Sequence, residues 1–173
     1  MSKANEVRAD RLYTRDHEWA TLTPTEVVVG ITPFAVEQLG DITLVAIDVK
    51  PGDRVEAGKT FGTVESVKTV SDLFAPLSGT VVRVNPALDA DPETVNRDCW
   101  DAAWMLAIQP SALDAEKSQL LDAQAYADGR LDVLTKELAG LAASMVLRCD
   151  DCIAYHVIRC KELADMWLAL SRR

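Results

Sequence analysis

The chain has 173 residues, 49% apolar and 26% charged, with 18 basic against 27 acidic side chains and a formal net charge of −9. That length and composition predict one domain, or one plus a small appendage, with enough apolar material for a real core. The charge excludes nucleic acid or an anionic membrane surface as a partner held by bulk electrostatics, no run of about 18 apolar residues reads as a membrane span, and four cysteines do not suggest a secreted disulfide scaffold.

The N-terminal run MSKANEVRADRLYTRD has neither an apolar core nor an Arg/Ser-rich amphipathic pattern, so no signal or transit peptide is expected, and bacterial cytosol is the expected location. Residues 26–31 (EVVVGI), 42–47 (ITLVAI) and 80–84 (TVVRV) are rich in β-branched side chains and predict strands. Between the first two, Thr32 suits an N-cap, Pro33 the first helical position and Gly40 the stop, which predicts a short helix over 34–39. Turn chemistry follows at Pro51-Gly52-Asp53, Ala57-Gly58-Lys59 and Leu77-Ser78-Gly79. Many short strands at short spacing predict a sandwich or small barrel.

From Ser111 onward the texture changes, because only Gly129 and Gly140 interrupt it and proline is absent. Leu120, Leu121 and Tyr126 suggest a short helix, and Asp128-Gly129-Arg130 a joint. Leu131, Leu134, Leu138, Leu141, Ala142 and Met145 then recur at spacings of three and four, as an amphipathic helix requires, and Ile153, Val157, Cys160, Leu163, Ala164, Trp167 and Leu168 continue a second helical run. A tail this short can bury only a marginal core alone, so it is expected to pack on the β module or on another copy of itself.

Within the β region, Thr63-Val64-Glu65-Ser66-Val67-Lys68-Thr69-Val70 places one long cation among β-branched residues. A solvated strand lysine is the plain reading. However, segments with similar punctuation flank it, Pro51 to Gly58 before and Pro76 to Val84 after. A hairpin placed symmetrically between them carries Lys68 at or near its turn. There a primary amine projects into solvent on two short strands and suits enzymatic acylation.

The Glu65-Ser66-Val67-Lys68 stretch resembles the lipoyl-lysine site of the glycine cleavage system H-protein family. Tyr13-Thr14-x-x-His17-Glu18-Trp19, Val29-Gly30-Ile31-Thr32, Leu39-Gly40-Asp41, Ala75-Pro76, Ser78-Gly79, Val84-Asn85 and Leu120-Leu121-Asp122-Ala123-x-x-Tyr126 resemble that family's other blocks. The resemblance spans residues 12–128. It implies an α+β fold, mainly a β barrel-sandwich hybrid of the lipoyl/biotinyl type, here with a C-terminal α-helical hairpin. Biotin carriers usually flank their lysine with methionines, and Val67 and Thr69 favour lipoate. The resemblance further implies lipoate attached to Lys68, flanked by Glu65, Ser66, Val67 and Thr69, and a carrier rather than an enzyme. The arm takes an aminomethyl group from a pyridoxal-phosphate glycine decarboxylase and passes it to an aminomethyltransferase that uses tetrahydrofolate. A flavin-dependent dihydrolipoyl dehydrogenase then reoxidises it, and a lipoyl ligase or transferase is the fourth partner. One departure is that Cys99 and Ala103 stand where the family commonly carries proline and glycine.

The tail, 129–173, carries Cys149-Asp150-Asp151-Cys152 and then His156 and Cys160. Three readings are open. Zinc is disfavoured as a four-ligand site, since Cys149 and Cys160 would lie about 16 Å apart along one helix, while a three-ligand site completed by water or a partner group stays open; no metal is the expectation. Small cysteines on a buried helix face are the second reading. The third is redox: a thiolate near a helix start, a second cysteine one turn away and a histidine to exchange a proton. The tail resembles the carboxymuconolactone decarboxylase/alkyl hydroperoxidase D family, which implies redox roles for Cys149, Cys152 and His156 and a proton-relay role for Glu137. Because Glu137 and Cys149 would lie about 18 Å apart on a straight helix, a break near Leu147-Arg148 is expected. The alternative to a pure carrier is therefore a lipoyl-coupled thiol redox or peroxidase protein, and a tail that only mediates self-association is a further reading.

Overall fold

In chain order the elements are β1 (Leu12–Tyr13), β2 (Glu18–Leu22), β3 (Val27–Ile31), α1 (Pro33–Leu39), β4 (Ile42–Ile47), β5 (Arg54–Val55), β6 (Thr60–Ser66), β7 (Val70–Phe74), β8 (Gly79–Val84), α2 (Ala87–Ala90), α3 (Thr94–Arg97), β9 (Leu106–Pro110) and α4 (Leu113–Glu116). A 3-10 turn (Lys117–Gln119) and α5 (Ala123–Gly129) follow. This is a computed structural model, and it describes residues 6–129, then 138, 141, 142, 145, 150, 152–158, 160 and 161. The chain divides into two units, Met1–Ala127 and Asp128–Arg173.

The first unit is two antiparallel sheets with helices at their margins. One sheet has the order β1-β2-β3-β9-β8-β5 and the other β4-β6-β7. The predicted strands form where β-branched residues cluster, and their alternation buries one set of side chains. Val27, Val29 and Ile31 from β3, Leu106 and Ile108 from β9, Phe61 and Val64 from β6, and Leu73 from β7 all enter the core. A register shift between Ile42 and Leu44 interrupts the alternation of β4, so that Thr43 and Leu44 are both exposed while Ile42 and Val45 stay buried. Trp19 lies flat over Gly30, where an added Cβ would stand 2.4 Å from its ring, and its indole N–H donates to the carbonyls of Ile31 (2.9 Å) and Cys99 (3.0 Å). Only glycine admits the indole that close.

The short helix forms as its residues predict. The Thr32 hydroxyl accepts the N–H of Ala35 (3.3 Å), Pro33 opens α1, and Gly40 ends it at φ +84°, its N–H donating to the Val36 carbonyl (2.9 Å). One expectation needs correction. Leu120 and Leu121 are not helical: the backbone N–H and carbonyl of Leu121 both pair with Tyr13 at 2.8 Å, which holds the segment extended until α5 begins at Ala123. Between β8 and β9, where the sequence pattern predicts no element, the chain holds α2 and α3. These helices are too short for a 3.6-residue period to show.

Tyr126 anchors α5. Its ring stacks on Tyr13 (centroids 4.4 Å), and its hydroxyl lies 3.0 Å from Thr32 Oγ1 and 2.8 Å from His17 Nδ1. Cys99 and Ala103, which replace the expected proline and glycine, are buried. Their loop is held by the Asp98 carboxylate, which accepts the N–H groups of Trp100 (3.1 Å), Asp101 (3.0 Å) and Ala102 (3.1 Å).

Candidate functional site: a lysine on a hairpin tip

β6 and β7 pair from Thr60↔Phe74 to Glu65↔Val70, and Lys68 stands on the turn that joins them. The turn is built around Ser66. Its hydroxyl oxygen accepts the N–H groups of Lys68 and Thr69, both at 3.1 Å, and its proton lies within reach of the carbonyls of Leu39 (2.8 Å) and Thr69 (3.1 Å). The Val67 N–H donates to the Asp41 carbonyl (3.1 Å). Two bonds thus tie the tip to the corner between α1 and β4. The corner is held from its other side by Asn96 of α3, whose side-chain amide accepts the Ile42 N–H and donates to the Ile42 carbonyl, each at 2.9 Å.

Lys68 is exposed, and among the described residues it joins no ion pair. Its stem passes Gly40 so closely that an added Cβ there would stand 3.1 Å from Cε and 3.2 Å from Nζ. Around it the surface is apolar with an acidic rim. Val67 is 69% exposed, Val70 60% and Leu44 45%, and Asp41, Glu65 and Asp72 are exposed nearby in the chain. Leu44, Glu65 and Val70 form one cross-strand row and so share a face of their sheet. A primary amine at a tight, fixed turn, free of a buried partner, fits covalent acylation. The structure brings the predicted site residues Glu65, Ser66, Val67, Lys68 and Thr69 together on this tip. Unforeseen in the sequence were the part of Asn96 and that of the Leu39-Gly40-Asp41 corner in holding the tip; Gly40 was legible as a helix stop and as one residue of a block resembling the family's.

Residues 11–131 match the family described as Glycine cleavage H-protein. The chain belongs to that family. It is 49% identical over 122 residues to the glycine cleavage system H protein of Anaeromyxobacter sp. (strain K), a match covering 70% of this chain and 93% of that protein. It is 49% identical over 114 residues to the H protein of Bacteroides fragilis, covering 66% and 89%. The crystal structure of a glycine cleavage system H protein from Mycobacterium marinum superimposes with a TM-score of 0.64 at 43% identity, covering 71% of this chain and 98% of that one. Residues 115–164 match a second family, the carboxymuconolactone decarboxylase family.

The H-protein-like unit also buries a carboxylate. Glu18 is 1% exposed; it accepts the Phe74 N–H (3.0 Å) and the Thr14 hydroxyl, and so ties β2 to the far end of the lysine hairpin. Burial raises its pKa above the usual carboxylate range, and the two donors oppose that only in part. The Cys99 thiol is pushed up to about 12, chiefly by burial, so it stays protonated and packs as a small apolar side chain.

In the second unit, residues 152–158 are helical. Cys152 is disulfide-bonded, whereas Cys99 and Cys160 are free thiols. His156 lies one turn beyond Cys152, its ring edge-on to Tyr155 with centroids 5.1 Å apart. Cys149, Glu137 and the break expected near Leu147-Arg148 lie outside the described residues.

Proposed function

We propose that this chain is the lipoyl carrier of a glycine cleavage system, with lipoate joined by an amide to Lys68 of a carrier domain over residues 12–128. The observation that carries the reading is the exposed Lys68 amine, without an ion pair among the described residues, on a turn whose backbone is bonded on both sides. Lipoate supplies a dithiolane that carries an aminomethyl group and two electrons; the protein supplies reach, orientation and docking surface. Its partners are a pyridoxal-phosphate glycine decarboxylase, an aminomethyltransferase, a dihydrolipoyl dehydrogenase and a lipoyl ligase or transferase. Val67, Val70 and Leu44 offer apolar contact, and Glu65 and Asp72 an acidic rim that selects basic partner surfaces. The test is intact mass after incubation with a lipoate ligase, ATP and lipoate. One lipoyl group is expected on the native chain and none on Lys68→Arg; an unmodified native chain would sink the reading.

A second reading is favoured by the tail, residues 129–173. The disulfide at Cys152, with His156 one helical turn away, suits a thiol redox unit that exchanges with a dithiol such as reduced lipoate. Peroxide turnover that is lost in Cys149→Ser would support it, and a Cys152→Ser variant whose remaining Cys149 thiolate opens the dithiolane of an oxidised lipoyl arm, leaving a mixed disulfide and one free lipoyl thiol, would add to that support. If neither variant differs from the native chain, the tail has no such activity.

A further inference from the structure

We propose that the corner Leu39-Gly40-Asp41, at the C-terminal end of α1, is a positioning element for acylation of Lys68, acting through Ser66 and Gly40. The inference rests on the lipoyl-carrier reading and names what aims the amine. A lysine has four rotatable side-chain bonds, so a turn alone presents its nitrogen over a wide arc. Two features narrow that arc here. First, the Ser66 hydroxyl joins four backbone groups: it accepts from the Lys68 and Thr69 N–H groups at 3.1 Å and lies 2.8 Å from the Leu39 carbonyl and 3.1 Å from the Thr69 carbonyl, while the Val67 N–H reaches the Asp41 carbonyl at 3.1 Å. The backbone on which Lys68 stands is thereby set relative to α1. Secondly, Gly40 has no Cβ, and the lysine stem runs through the space a Cβ would crowd, with Cδ 3.4 Å, Cε 3.1 Å and Nζ 3.2 Å from that point. With Asn96 bracing Ile42 behind the corner, helix, corner and hairpin tip form one platform.

The reaction served is acyl transfer from a lipoyl adenylate bound by the ligase. The Lys68 ammonium first gives a proton to a base of that enzyme. The free amine attacks the lipoyl carbonyl carbon, the C–N bond forms, the C–O bond to the adenylate breaks, and AMP leaves as the nitrogen loses its second proton. Orientation of the amine enters such a step through the population of the attacking geometry, so its loss falls on kcat more than on KM.

The experiment uses the full chain with Ser66→Ala, Ser66→Thr and Gly40→Ala. Ligase-dependent lipoylation is followed by intact mass, giving kcat and KM separately. In parallel, acetic anhydride labels Lys68 without any enzyme, with the exposed Lys50 and Lys59 as internal references. Ser66→Ala and Gly40→Ala are expected to lower kcat by on the order of tenfold. Ser66→Thr, which keeps the hydroxyl, recovers most of that rate. Labelling of Lys68 by the small reagent stays within about twofold in all three, because the amine is exposed in each. Gly40→Ala also lowers Tm through its positive φ; Ser66→Ala and its threonine rescue separate aim from stability. Native rates in both alanine variants, or no rescue by threonine, overturn the proposal and leave the carrier reading intact. Failure of the native chain to be lipoylated overturns both.

Discussion

Two charged side chains in the first unit are treated in opposite ways by their surroundings. Lys68 is left in solvent at a turn, and its amine is available. Glu18 is enclosed at 1% exposure, where burial penalises the anion and raises its pKa. With the folded pKa above the unfolded one, the folded state holds its proton in a window where the unfolded chain has released it. The stability this contributes is complete below the unfolded pKa and is lost as pH rises through the raised value. Relative to Glu18→Gln, the native chain is therefore expected to lose stability as pH rises from the ordinary glutamate pKa through the raised one, read from urea midpoints at each pH. A constant difference across that range would show that Glu18 does not titrate differently on folding. Asp98 behaves in the reverse sense. N–H donors, foremost that of Asp101, hold its pKa below the usual range, so its contribution is present above the unfolded pKa and is lost as pH falls through the folded one. Asp98→Ala is expected to cost about 1–2 kcal/mol near neutral pH, and less in acid.

At the scale of elements, local chemistry and tertiary contacts divide the work. α1 is a local product: its N-cap, proline and C-terminal glycine all lie in the nine residues from Thr32 to Gly40, and each acts as its residue type predicts. α5 is not. Its seven residues carry little intrinsic stability, and Tyr126 holds it through a ring stacked on Tyr13 and a hydroxyl placed against Thr32 and His17. Tyr126→Phe keeps the stack and removes the hydroxyl, so a loss of about 1–2 kcal/mol is expected, and Tyr126→Ala should cost about 3–5 kcal/mol. Thermal or urea unfolding measures both, and equal losses would mean that the ring contributes nothing. α2 and α3 were illegible because four-residue helices show no period; what locates α3 is the paired bonding of Asn96 to Ile42, more than fifty residues earlier in the chain.

For the whole molecule, the division at Ala127/Asp128 predicts that the carrier half acts without the rest. A chain cut after Asp128 should be lipoylated on Lys68 at a rate within about twofold of the full chain and keep its near-UV circular dichroism. A large fall in rate would mean that the second unit contributes to the acylation site. The second unit exposes Leu138 (50%), Met145 (62%), Tyr155 (56%), Val157 (48%) and Ile158 (58%), too much apolar surface for so short a segment to leave in water. The full chain is expected to self-associate with rising concentration in light scattering, and the cut chain to remain monomeric; a monomeric full chain removes this role from the tail.

The residues alone determined what depends on neighbours in sequence. They specified the β-branched strands, the capped helix, the turn signals and a lysine centred between two similarly punctuated segments. Side-chain alternation and cap chemistry act over a few residues, so a single sequence exposes them. Tertiary structure alone decided that the lysine stem would lie over Gly40, that Ser66 would join the tip to Leu39, that Asn96 would brace the corner and that Glu18 would be sealed from water. These depend on strands far apart in the chain being brought into register by burial of a common core, and no spacing within one sequence records which backbone groups will then meet.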